Sequence, residues 1–159
     1  KIPYLGICLG MQMAIVEFAR HVLGYEDANS IELDPATKHP VIALMPDQES
    51  VEDLGGTLRL GSYPCVLADS SRALELFGKK EIQERHRHRY EVNNAYREEL
   101  AAKGMTIAGT SPDGHIVEMI EIKAHPFYDG TQGHNLFKSR PKHAHPLFRG
   151  FLKAADEYA

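Results

Sequence analysis

The sequence predicts an α/β domain, on three observations. An apolar run, Pro3-Tyr4-Leu5-Gly6-Ile7, reads as a buried strand and passes at once through Cys8-Leu9-Gly10 into a helix-spaced apolar face. Strand-like and helix-like stretches then alternate between glycine, proline and serine signals. No internal repeat or low-complexity tract interrupts them. The 159 residues, 43% hydrophobic and 25% charged, fit one globular domain spanning 1–159.

Each element has its own warrant. Ile15, Phe18, Ala19 and Val22 share one helical face, and Gly24 suits the end of that helix. Val41 to Met45, bounded by Pro40 and Pro46, is a short strand. Asp47 to Gly61 is polar and glycine-rich, so a long loop or flap is expected. Ser70-Ser71 open a short helix closed by Gly78, and a second helix over about Ala95 to Lys103 closes at Gly104. Glu84 to Val92 alternates strictly and is expected to be extended. Thr106–Thr110 and Ile116–Ile122 flank Ser111-Pro112-Asp113-Gly114 as a hairpin. Phe127 to Gly133 is one more strand, leading to His134, and Pro146 to Glu157 is the last helix. A chain opening without Met on a strand that wants neighbours on both sides is expected to be part of a larger protein.

Composition excludes several classes. Eighteen basic against twenty-two acidic residues, a net charge of −4, leave no field for a phosphate backbone, so no nucleic acid is expected. The first apolar run is broken by Pro3, Gly6, Gly10 and Gln12, so no membrane span or signal peptide is expected. Two cysteines, Cys8 and Cys65, fit a reducing, cytoplasmic setting.

Gly6-Ile7-Cys8-Leu9-Gly10 has the small-x-nucleophile-x-small pattern of a strand-to-helix elbow. Such a turn lifts a sulfur above the sheet, the helix N-terminus lowers its pKa, and the Leu9 N–H faces a developing oxyanion. A cysteine nucleophile needs a base, and of nine histidines His134 is best placed, at a strand end. His86 and His88 share one face of an extended run, but Arg85, Arg87 and Arg89 interleave with them and oppose a cation, so no metal is assigned. His143 and His145 fit a solvated loop. One arginine of the triplet could grip an α-carboxylate or simply line a solvated strand face. Glu32, in the polar turn Asn29-Ser30-Ile31-Glu32, could bind an amino group or be exposed.

With these residues in view, the sequence resembles the class I (Cys-His-Glu) glutamine amidotransferase domain of the CTP synthases, lacking its N-terminal portion. The carrying segments are Gly6-Ile7-Cys8-Leu9-Gly10-Met11-Gln12, Asp27-Ala28-Asn29-Ser30, Gly55-Gly56-Thr57-Leu58-Arg59-Leu60-Gly61, Glu84 to Asn93 and His145-Pro146-Leu147-Phe148. The resemblance implies a flavodoxin-like or Rossmann-like three-layer fold, with a mostly parallel central sheet, added hairpins and the first strands missing. It implies that Cys8 and His134 hydrolyse L-glutamine, with Gln12, Glu32 and Arg89 holding it and Leu9 at the oxyanion. Glu32 would take the α-ammonium group and Arg89 the α-carboxylate. Gly55, Gly56 and Arg59 match a lid linked to activation by GTP. No cofactor is implied in this domain. ATP and Mg belong to an absent synthase domain that aminates UTP, and full-length family members are homotetramers.

Two residues depart from the family pattern. Where the family has His-Pro-Glu, this chain has His134-Asn135-Leu136, and Leu136 cannot orient or stabilise an imidazolium. Asp129 interrupts the apolar run before His134 and, if buried, needs a partner or a raised pKa. Besides the glutaminase, two alternatives follow: a catalytically impaired regulatory or binding module, and a γ-glutamyl thiol hydrolase on the same scaffold.

Overall fold

A computed structural model describes residues 1–44 and 59–159. Nine strands and four α-helices follow in chain order among them. They are β1 (Tyr4–Ile7), α1 (Leu9–Phe18), β2 (Asn29–Ser30), β3 (Pro40–Ala43), β4 (Arg59–Leu67), α2 (Arg72–Phe77) and β5 (Glu81–His88). After these come β6 (Glu91–Val92), α3 (Arg97–Ala102), β7 (Thr106–Thr110), β8 (Val117–Glu121), β9 (Tyr128–Thr131) and α4 (Pro146–Tyr158). Short-range signals place several boundaries. The Ser71 side chain accepts the Leu74 N–H at the start of α2, and Gly78 ends it in the left-handed region. A single π turn, Ala19–Leu23, continues α1 to Gly24, at φ 83°.

A six-stranded sheet runs β1-β9-β8-β7-β4-β5, and a three-stranded one runs β2-β3-β6. The α/β class stands, but the expectation of a mostly parallel sheet does not describe these strands. In the larger sheet only β1 and β9 are parallel, and the other four pairings are antiparallel. The connections dictate this: β7 to β8 and β8 to β9 are joined by six residues each, too few for a crossover of a dozen or more. At the edge of that sheet, β1 has one hydrogen-bonded neighbour among the described residues rather than two.

The sheet lies between two apolar clusters. Met11, Ile15 and Phe18 of α1 pack with Leu100 of α3 and Ile120 of β8, whereas Met119 of β8 joins Cys65, Ala73, Ile82 and Leu147. Adjacent residues of β8 thus serve opposite layers, and all five of its side chains are buried. Two further expectations change. The flap was drawn to Gly61, yet Arg59 to Gly61 already belong to β4; residues 45–58, including Gly55 and Gly56, lie outside the described residues. The extended run from Glu84 to Val92 is split between the two sheets by Arg89 and Tyr90.

Candidate active site

Cys8 stands alone between β1 and α1, at φ 53° and ψ −107°, and among the described residues no other non-glycine has positive φ. A backbone held there costs about 1–3 kcal/mol and persists only where its surroundings impose it. Two features impose it. A Cβ on Gly6 would come within 2.7 Å of the Gly10 carbonyl carbon, so only glycine lets helix and strand approach. The Cys8 N–H donates to the Thr131 carbonyl at 2.8 Å, pinning the bend to β9.

Register then brings His134, the expected base, to the same end of the sheet. Ile7 pairs with Thr131 in the parallel β1–β9 ladder, so Cys8 and, three residues past Thr131, His134 leave one end of adjacent strands. The His134 N–H donates to the Arg85 carbonyl at 2.7 Å, fixing its backbone against β5. Its Nε2 is buried without a hydrogen-bond partner among the described residues. Leu136 sits in the short 3-10 turn Asn135–Phe137 with 52% of its surface exposed, so it offers His134 no carboxylate. Glu84 is buried nearby but committed: it accepts from Asn135 Nδ2 and pairs with His145 Nε2, both at 3.1 Å. His145 is therefore a buried residue rather than a solvated one.

The sulfur does not have the simple environment a helix N-terminus predicts. Burial pushes the Cys8 thiol above its ordinary range, and Glu91 and Glu32 push the same way. Against them, the Leu9 N–H and the Gln132 side chain both bond to the sulfur and pull it down. Gln132 is fully buried, with Nε2 3.5 Å from Sγ, and sequence reasoning passed over it. Its one signal was position, between a strand end and the candidate base.

The expected substrate residues ring this point. Leu9 follows the sulfur with its side chain half exposed. Gln12 is buried, and its Nε2 donates to the Tyr90 carbonyl at 2.9 Å and to Gln132 Oε1 at 3.2 Å, which leaves its carbonyl oxygen as the group it can offer. Glu32 is an exposed carboxylate close enough to act on the sulfur. Arg89 is half-buried directly beside Tyr90, to which Gln12 is tied.

Arg59 is placed inside the protein rather than on a lid. It is 8% exposed, bonded to Glu91 at 3.2 Å and Glu118 at 2.7 Å, with its guanidinium over the Tyr63 ring. Burial pushes Glu91 up to about 8 even against that cation. His86 and His88 lie in the same interior, 2.9 Å apart through their ring nitrogens. Burial and the Arg59 charge depress them to about 3 and about 4, so both are neutral core histidines. Arg85 and Arg87 occupy the opposite, exposed face, as their period-two spacing predicts. Asp129 meets both conditions set for it: it pairs with Arg72, and burial pushes it up to about 7. Five residues before His134 and engaged by α2, it does not replace the missing carboxylate.

A mixed α/β sheet that sends a strained cysteine and a histidine off the same end of two adjacent strands is the arrangement expected of a thiol hydrolase. The family model for class-I glutamine amidotransferases matches residues 1–154, and the chain belongs to that family. It is similar to the CTP synthases of Staphylococcus aureus strains JH9 and Newman, 57% identical to each over 158 residues. The match covers 99% of this chain and 30% of those proteins, so the chain spans less than a third of their length. Among solved structures it is similar to the glutaminase domain of Trypanosoma brucei CTPS with bound acivicin. There the TM-score is 0.91 and the identity 34%, over 98% of this chain and 60% of that one. In the described residues no helix is long and apolar enough to cross a membrane.

Proposed function

We propose that this chain is the glutaminase of a CTP synthase: it hydrolyses L-glutamine and passes the ammonia to a synthase domain of the same polypeptide. The observation that carries the reading is the Cys8 sulfur at the elbow, held by two N–H donors next to the strand that leads to His134.

The Cys8 thiolate adds to the side-chain amide carbon of glutamine, and the carbonyl electrons move to oxygen. The Leu9 N–H, which bonds the sulfur before substrate arrives, is the donor nearest to that oxyanion. Protonated His134 gives its proton to the amide nitrogen; the C–N bond breaks, ammonia leaves and a γ-glutamyl thioester remains. His134 then takes a proton from water as the water attacks, the C–S bond breaks, and glutamate and the free cysteine result. Glu32 faces the α-ammonium group, Arg89 the α-carboxylate, and the Gln12 carbonyl an N–H of the substrate.

Amination of UTP, with ATP and Mg, belongs to the remainder of the polypeptide, and so does assembly into a tetramer. The setting is cytoplasmic, in keeping with two unpaired cysteines. The residues do not fit GTP at Arg59, whose guanidinium is committed to two carboxylates.

Ammonia release from glutamine by the intact polypeptide tests the reading. The parent is expected to release ammonia, and Cys8→Ala to lower the rate by about three orders of magnitude. Equal rates for the two would refute it.

A further inference from the structure

We infer that Gln132 is a further catalytic residue, whose side-chain amide donates to the Cys8 sulfur and stabilises the attacking thiolate. The inference rests on the reading of Cys8 as the nucleophile, and it names a residue outside the cysteine–histidine pair.

The direction of the amide follows from a chain of obligatory partners. The Tyr90 carbonyl can only accept, so the Gln12 atom facing it at 2.9 Å is Nε2. That same Nε2 lies 3.2 Å from the Gln132 amide, so the Gln132 atom turned toward it is the oxygen. The Gln132 Nε2 is then left facing Cys8 Sγ, at 3.5 Å. The backbone is held too, because the Gln132 N–H donates to the Glu118 carbonyl at 2.8 Å. The Gln12–Gln132 link is buried and the two end links are part-buried, so the donor is aimed before any substrate arrives.

A donor fixed on sulfur favours thiolate over thiol, and it acts twice. It stabilises the sulfur that attacks the amide carbon, and again the sulfur that leaves when water opens the thioester. The need is greater here than in a solvent-exposed site. Burial and the carboxylates Glu91 of β6 and Glu32 of the turn after β2 all oppose thiolate, and the Leu9 N–H is the other group that favours it. His134 leaves the same end of the sheet, three residues past β9.

The test is the pH profile of Cys8 alkylation by iodoacetamide in the intact polypeptide, followed by peptide mass spectrometry. Gln132→Met keeps the length and removes the donor. It is expected to raise the midpoint by about one pH unit, or about tenfold less reaction at pH 7. Gln12→Met, which frees the amide to turn, is expected to shift the midpoint the same way by less. Buried Cys65 reports on folding, since it reacts only if the core opens. If Gln132→Met exposes Cys65, Gln132→Asn keeps a polar group but falls one methylene short of the sulfur, and the same rise is expected. An unmoved midpoint in a folded variant overturns the inference. Because alkylation needs no glutamine, a shifted midpoint in a protein that releases no ammonia would sink the glutaminase reading and leave this one standing.

Discussion

At Cys8 opposing effects meet on one atom. Burial raises the thiol, and two N–H donors lower it, so the sulfur depends on its base to a degree that an exposed thiol at a helix N-terminus would not. On the proposed reading, His134 as base is the weaker half. Leu136 lies two residues past His134 with its side chain toward solvent, where a carboxylate could orient the ring and stabilise its protonated form. Leu136→Glu is therefore expected to raise kcat for ammonia release by about tenfold or more, with little change in KM, because the gain is realised in the transition state. Steady-state kinetics of the two proteins decide this. An unchanged kcat would mean that the His134 ring needs no third group. Gln132 shows why part of the site was not legible beforehand. Its partners Gln12 and Cys8 lie 120 and 124 residues away in the chain, and no local pattern announces a glutamine that matters only once they converge.

Among the elements, those with local signals were legible and those defined by distant pairing were not. The β7–β8 hairpin and the ends of α2 follow from Pro112-Asp113-Gly114, Ser71 and Gly78, residues whose preferences act within a few positions. Strand β4 was hidden because Gly61 read as the end of the flap, and Ser62 and Pro64 interrupt the apolar pattern that follows it. It forms because β5 pairs with it along eight positions, and Pro64 is tolerated where β5 is its one neighbour, since β7 joins only at Val66 and Leu67. Strand β9 carries a further consequence. Asp129 opposes Glu121 across the β8–β9 ladder, both are buried, and burial raises both carboxyls. Asp129 has a folded pKa raised from 3.8 to about 7, so the folded state holds its proton more tightly than the unfolded one. Its contribution to stability is complete below about pH 4 and is lost as pH rises through 7, by at most about 4 kcal/mol. Asp129→Asn, which keeps an acceptor for Arg72, is expected to flatten that fall. Thermal melts at pH 5 and pH 8 should then show the variant gaining on the parent at the higher pH. A gain equal at both would mean that Asp129 is ionised throughout.

Across the whole molecule, the two core clusters share β8, and both active-site strands border it directly or through β9, so the site is framed by the packing that holds the layers together. The cysteine and the histidine are nevertheless confined to one edge, where β1 gives way to α1 and β9 to the Asn135–Phe137 turn. A change limited to the sulfur should therefore leave both cores intact, because alanine can hold the Cys8 backbone at no greater steric cost than cysteine. On the proposal that the intact polypeptide is a CTP synthase, this separates two activities. Cys8→Ala is expected to abolish CTP formation from glutamine while leaving CTP formation from added ammonium chloride unchanged, since ammonia from solution bypasses the thioester. Spectrophotometric assay of UTP amination with each nitrogen source measures both in one preparation. Loss of the ammonia-driven reaction as well would mean that the elbow supports the distant amination site through structure, and that its sulfur is not what delivers nitrogen.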